Sequence, residues 1–280
     1  MRVKREEIGP MRSLAPILAV LLLAACSGEA DAPLAAETSA AAHAAAAPAV
    51  AAAPPAAKAV SVKEETALIQ FDYAYPAQAA AIPALKGLLD SDLDKARREL
   101  LAAAREGQKE AKASGFDFNP YGHSTDWTVV TDLPGWLSLT AQRWEFTGGA
   151  HGNPWTDALL WDKAAGARRA ASDLFVSKAA LSAAIRTPFC NLLDRERAKR
   201  RQAPVNRDSG DMFDECIDPV ESTVILGSAD RQHFTRIGVL VDPYAAGSYA
   251  EGSYEVTLPV TPAVLKAVKP EYRALFAASR

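Results

Sequence analysis

Trp136-Leu-Ser-Leu-Thr-Ala-Gln-Arg-Trp-Glu-Phe146, then Thr147-Gly-Gly-Ala-His-Gly-Asn153, then Trp155-Thr-Asp-Ala-Leu-Leu-Trp161 read as strand, turn and strand. Aromatic and aliphatic residues dominate both flanks, and three glycines lie in the bend between them. That combination predicts a β-hairpin. A second turn follows at Asp162-Lys-Ala-Ala-Gly166.

Working outward, Ala67-Leu-Ile-Gln-Phe-Asp-Tyr-Ala-Tyr75 mixes β-formers with partial alternation and ends at Pro76, which predicts a strand. Leu85, Leu89, Leu93, Ala96, Leu100 and Ala103 then recur at spacings of three and four, the stripe of a long amphipathic helix, with Gly115 as its stop. Trp127–Val130 reads as another strand. Downstream, a helix is expected from Ser177 to Arg201, carrying Leu181, Ile185, Phe189 and Leu192 on one side and broken or kinked at Pro188. Strands are expected at Thr223–Leu226, Phe234–Val241 and Tyr254–Val260, and a short closing helix within Thr261–Ala277. Strands outnumber helices and the connections read as antiparallel meanders. The class is α+β: antiparallel sheets packed with a few helices, as one domain or two intimately packed lobes over residues 63–280.

The N-terminus locates the protein. Leu14–Ala25 is an apolar run of about 12 residues, too short to span a bilayer and the size of a signal-peptide core. It ends in Leu23-Ala-Ala-Cys26, which resembles a bacterial lipoprotein signal. That resemblance implies cleavage after residue 25, a lipid on Cys26, and membrane attachment through that lipid. Glu6 and Glu7 dilute the basic start, so Met11 is an alternative initiator. Ser27 after the cysteine fits delivery to the periplasmic face of an outer membrane. Residues 26–62 are mainly Ala and Pro and read as a tether. Its Ala-rich part, residues 27–60, is a coil of about 34 residues and would reach about 30–35 Å.

The whole chain carries 31 Lys and Arg against 34 Asp and Glu. Residues 1–25 hold four of the basic and two of the acidic ones, so the remainder has 27 against 32, a net charge of −5. That balance argues against nucleic acid as a partner. Besides Cys26, the cysteines are the even pair Cys190 and Cys216. In an oxidising compartment they are expected to bridge; a thiol–metal site would want a C-x-x-C or a nearby histidine.

Two segments go beyond generic pattern: Arg143-Trp-Glu-Phe-Thr-Gly-Gly-Ala-His-Gly152 with Trp161–Gly166 and Ser172-Asp-Leu-Phe175, and Leu240-Val-Asp-Pro-Tyr-Ala-Ala-Gly247 leading to Tyr254–Pro259. Together they resemble the extracytoplasmic domain family found in the lysozyme-sensing anti-sigma factor RsiV and in the N-terminal region of the peptidoglycan deacetylase PdaC. The resemblance implies an envelope-associated α+β binding domain, with lysozyme-type muramidases or peptidoglycan as its partners. Gly148, Gly149, His151 and Gly152 in the first loop and Pro243, Tyr244 and Gly247 in the second are the candidate contact residues. Glycines admit positive φ and close approach, and tyrosine offers a large contact at low entropic cost. The plainer reading makes the glycines turn formers, Trp144, Phe146 and Trp155 core residues, and His151 a structural hydrogen-bonding group.

No recognisable catalytic motif appears. H-x-x-x-H, H-E-x-x-H, G-x-S-x-G and phosphate-binding glycine patterns are missing, and no cofactor is implied. The expectation is a non-enzymatic protein, with a peptidoglycan-modifying enzyme or accessory, or a structural lipoprotein, as alternatives. His123, His151 and His233 are far apart in sequence. Asp208, Asp211, Asp214 and Glu215 lack a calcium-loop pattern and read as a solvated acidic loop. Arg195, Arg197, Lys199, Arg200 and Arg201 read as a solvated basic helix end, with mutual attraction of the two clusters near the disulfide as a further possibility.

Overall fold

The structure is a computed structural model that describes residues 57–279. The signal segment 1–25, Cys26 and the tether as far as residue 56 lie outside the described residues.

The first sheet is assembled in chain order from β1 (Val60–Glu65), β2 (Ile69–Tyr75), β3 (Tyr121–Asp132), β4 (Trp136–Phe146), β5 (Asn153–Asp162) and β6 (Ala167–Arg169). Between β2 and β3 the chain makes the one-turn helix α1 (Ala77–Ala80) and the long helix α2 (Pro83–Ser114). Pro83 starts α2, where a missing N–H costs nothing, and Gly115 ends it with φ 72°. Leu85, Leu89, Leu93, Leu100 and Ala104 form its buried stripe, packed against Phe71, Tyr73, Trp127, Leu137 and Leu139 of the sheet, with Ala104 in place of the expected Ala103, which is exposed.

The second half comprises α3 (Lys178–Arg201), the antiparallel sheet β7 (Thr223–Gly227), β8 (Arg236–Val241) and β9 (Tyr254–Pro259), and α4 (Pro262–Ala267). Leu181, Ile185, Phe189 and Leu193 of α3 close a second core with Ile237, Val239, Val256 and Leu258. The alternation of β4 and β5 joins the two cores: Leu137, Leu139, Leu159 and Trp161 face α2, while Trp136 and Leu160 enter the second core. The larger sheet is therefore a shared wall. Strand β7 packs against β3, β4 and β5.

The fold is α+β with two sheets, and the hairpin of β4 and β5 forms at the expected residues. Several local expectations are corrected. Among the described residues the first strand is Val60–Glu65, which the sequence pattern did not signal, because its exposed–half-buried alternation rests on only two valines among charged residues. The pairing of β2 with β3 is parallel, since α2 returns the chain to the same end of the sheet. Pro188 lies inside α3 without breaking it: it sits on the exposed face, where solvent can satisfy the freed carbonyl, while buried neighbours hold both sides. Phe234 makes only an isolated bridge to Phe276 instead of starting β8. The closing helix is split, because Pro270 cannot continue α4 and begins a 3₁₀ turn, Pro270–Leu275.

Candidate functional site

The bend between β4 and β5 and the loop between β8 and β9 meet. Their meeting is set by Asp242, whose Oδ1 accepts hydrogen bonds from Thr156 N at 2.9 Å and Thr156 Oγ1 at 2.8 Å. Burial pushes the Asp242 carboxyl above its ordinary range, against those two hydrogen bonds. Beyond this clasp the loops touch through aromatic rings. His151 stacks on Tyr249 with centroids 4.1 Å apart and planes 21° apart, and Tyr244 packs on Tyr249 at 5.5 Å. Tyr249 Oη donates to the Gly152 carbonyl at 2.9 Å, and His151 Nδ1 lies 3.0 Å from the same oxygen. Tyr244 has φ 68° and is 56% exposed, a large apolar side chain held outward by its backbone.

The candidate glycines divide into two kinds. Gly148 and Gly149 are exposed, with φ of 101° and 93°, and form the tip of the bend. Gly152 and Gly247 are buried and supply room, not surface. A Cβ on Gly152 would stand 2.1 Å from Trp144 Nε1, and one on Gly247 would stand 2.6 Å from a Glu251 carboxylate oxygen. Pro243 is half-buried beside Tyr244. Tyr249, which lies between the two quoted parts of the second segment, is the ring that joins His151 to Tyr244.

Beneath the second loop the acidic and basic clusters form a network instead of solvated faces. Arg197 is 0% exposed; its Nε donates to Ala246 O at 2.8 Å and its Nη1 to Glu215 O at 2.9 Å. Arg201 pairs with Asp214 at 2.6 Å and with Glu251 at 2.9 Å. Burial alone would raise the Glu251 carboxyl, but hydrogen bonds from Tyr254 and Arg201 hold it below the usual range. Tyr254 is pushed up to about 12 by burial and by that carboxylate. Arg200 lies over the Tyr254 ring at 4.0 Å. The Cys190–Cys216 disulfide, with Cα atoms 5.5 Å apart, ties the acidic loop to α3. Arg195, Lys199, Asp208 and Asp211 remain exposed.

The three histidines among the described residues have separate partners. His123 is 8% exposed, bonded to Thr125 Oγ1 at 2.9 Å and stacked on Phe71; burial and the charge of Arg143 lower its pKa. His233 pairs with Asp230 at 3.0 Å. Among the described residues no group of three or more His, Cys, Asp or Glu side chains is placed to hold a metal ion. Sequence reading also missed a buried polar chain under the larger sheet. Trp127 Nε1 donates to Tyr73 Oη at 3.1 Å, Tyr73 donates to Asp92 at 2.7 Å, and Arg143 pairs with Asp92 at 2.7 Å.

Residues 62–154, from β1 through the glycine-rich bend, match the family model described as Deacetylase PdaC. No curated protein matches the chain. Among solved structures, it is similar to a DUF3298 family protein from Pseudomonas aeruginosa PAO1, at 18% identity and a TM-score of 0.45, covering 80% of this chain and 98% of that one. It is also similar to a member of the DUF3298 family from Bacteroides fragilis NCTC 9343, at 18% identity and a TM-score of 0.43, covering 73% and 90%.

Proposed function

We propose that this chain is a binding protein of the bacterial cell envelope, held at the membrane by a lipid on Cys26, whose loop cluster engages a lysozyme-type muramidase. The observation that carries this reading is the ladder His151–Tyr249–Tyr244, which unites two sequence-distant loops in one aromatic patch. Aromatic anchors on a braced scaffold are the usual centres of protein contact surfaces. The net charge of the chain after residue 25 is −5, which favours a basic partner. Covering the cleft of a muramidase would inhibit it by occlusion, with no chemistry asked of this chain.

The test is calorimetry of the purified chain, disulfide intact, against lysozyme across a salt series. Salt-resistant one-to-one binding with loss of lytic activity is expected, and His151→Ala or Tyr244→Ala should weaken it. Binding that vanishes at moderate salt would reduce the interaction to charge attraction. Unchanged affinity in both variants would remove the loop cluster as its site.

The family model over residues 62–154 favours one second reading, an enzyme or accessory acting on peptidoglycan. It requires turnover of a wall fragment that depends on His151, and absence of turnover in the purified chain would dispose of it.

A further inference from the structure

The second sheet covers only part of the larger sheet's outer face, through β7 against β3, β4 and β5. Among the described residues no element covers the face over β1, β2 and β3, and its side chains stand in register. Lys63, Asp72, Ser124 and Trp144 are successive partners across β1, β2, β3 and β4, forming one row. Gln70 and Gly122 stand in the row on one side, Ser61, Ala74 and Asp126 in the row on the other. Because serine, alanine and glycine occupy the middle, the face is hollowed. A cavity of ≈ 630 Å³ lies between Gln70, Ser124 and Trp144, and a second of ≈ 340 Å³ reaches Ser61 and Asp126. Both are lined by Lys63, Asp72 and Ser124, so they form one groove running along the strands with a waist at that row.

Trp144 is seated at one end of this groove. Its six-membered ring lies 2.4 Å from where a Gly122 Cβ would be, and its Nε1 2.1 Å from where a Gly152 Cβ would be. Two glycines thus let the indole lie across the strands, and Phe146 stacks beside it at 6.2 Å. The ring is only partly buried and lines the larger cavity. The other exposed lining side chains are hydroxyls, an amide, carboxylates and the Lys63–Asp72 ion pair at 2.6 Å, together with the nearly buried Phe71 and His123. Glu64 is paired with Arg97 at 2.5 Å, which leaves Glu65 and Asp126 as lining carboxylates with no salt-bridge partner among the described residues.

We propose that this groove binds an extended, uncharged β-1,4-linked glycan, with one pyranose ring on the face of Trp144. A pyranose has a flat C–H face that suits an indole, and equatorial hydroxyls that donate to and accept from serine and glutamine and donate to carboxylates. A β-1,4 linkage gives a straight ribbon that matches a groove running along strands. A peptide would need apolar side-chain pockets, and the groove offers one aromatic plane that is more than marginally exposed, since Phe71 and His123 are nearly buried. The unpaired carboxylates repel anionic polymers. This site lies on the sheet face, away from the His151–Tyr249–Tyr244 patch.

The experiment titrates the purified full-length chain with cellohexaose and chitohexaose, following heat and indole fluorescence. Maltohexaose tests the linkage, and a galacturonate hexamer tests the charge. Binding of at least one β-linked hexamer is expected with Kd between about 10 μM and 1 mM, and weaker binding of the other two sugars. Trp144→Ala should weaken binding by about tenfold or more. Asp72→Ala, a surface substitution that leaves both cores intact, should weaken it by about threefold or more. Silence with both β-linked hexamers at about 5 mM overturns the proposal. So does equal or tighter binding of the galacturonate, or undiminished affinity in a folded Trp144→Ala or Asp72→Ala chain.

Discussion

The His151 imidazole lies flat against the Tyr249 ring, 4.1 Å between centroids, and Tyr249 donates its hydroxyl proton to the carbonyl of Gly152, the residue after His151. One tyrosine thereby fastens the β8–β9 loop to the β4–β5 bend by both a face and an edge. The two contacts can be separated. Tyr249→Phe keeps the stack and loses the hydrogen bond, and should cost about 1 kcal/mol in denaturant unfolding. In a cycle of His151→Ala and Tyr249→Ala, a coupling of about 0.5–1.5 kcal/mol is expected. Strict additivity of the two substitutions would show that the stack carries no energy.

Gly152 and Gly149 should fail for different reasons. Gly152→Ala drives a methyl into the Trp144 indole, an overpacking cost of about 1–3 kcal/mol. Trp144→Leu should rescue it in part, because the obstacle is that side chain. Gly149→Ala meets open space but must hold φ near 93°, so its cost of about 1–3 kcal/mol is backbone strain that no change at Trp144 relieves. Melting temperatures of the four variants decide this.

The hairpin, the α2 stripe and the disulfide were legible because each is written locally, as alternation, a three–four repeat, or an even cysteine count. What escaped is non-local. Nothing near Arg197 says it is buried: its place depends on the Ala246 and Glu215 carbonyls arriving from two other loops. Tyr249 looked like one more loop tyrosine until His151 was brought to it. Gly152 read as a turn glycine, and its partner Trp144 became visible only with the register of β3 against β4. The parallel β2–β3 pair was hidden for the same reason, since strand direction is decided by where α2 ends.

Arg197 should be the least replaceable charge in the chain. Arg197→Ala strips hydrogen-bond donors from the Ala246 and Glu215 carbonyls and from Asp194, at a cost of about 3 kcal/mol or more. Arg197→Lys should recover little, because one ammonium cannot serve both loops in the guanidinium fork geometry. Chemical denaturation of the two variants checks this, and near-native stability in the lysine chain would refute it.

Reduction of Cys190–Cys216 frees a loop closed over a sequence separation of 26, worth about 3 kcal/mol in the chain-entropy account. Its local effect should reach the His151–Tyr249–Tyr244 patch, because the released loop carries Asp214 and Glu215, partners of Arg201 and Arg197. Hydrogen exchange of the Asp242–Gly252 loop should accelerate on reduction, while amides of α2 stay protected. Equal acceleration in both places would mean global loosening instead.

Stability should also fall on mild acidification, through His123. Burial first and the Arg143 charge second hold its pKa below the ordinary value, while the nearby Asp92 carboxylate opposes them weakly. The unfolded chain therefore takes up this proton first. The contribution is present above the unfolded value of about 6.5 and is lost as pH falls through the interval down to the folded value. Asp92 and Glu251 are held below the usual carboxylate range, so their contributions persist through that interval and are lost only at lower pH, below about 4. The two windows are separable. His123→Phe, which keeps a ring against Phe71, should flatten the melting-temperature profile between about pH 7 and pH 5 and leave the steeper acid fall in place. A profile unchanged by His123→Phe would refute the assignment of the mild-acid slope to His123.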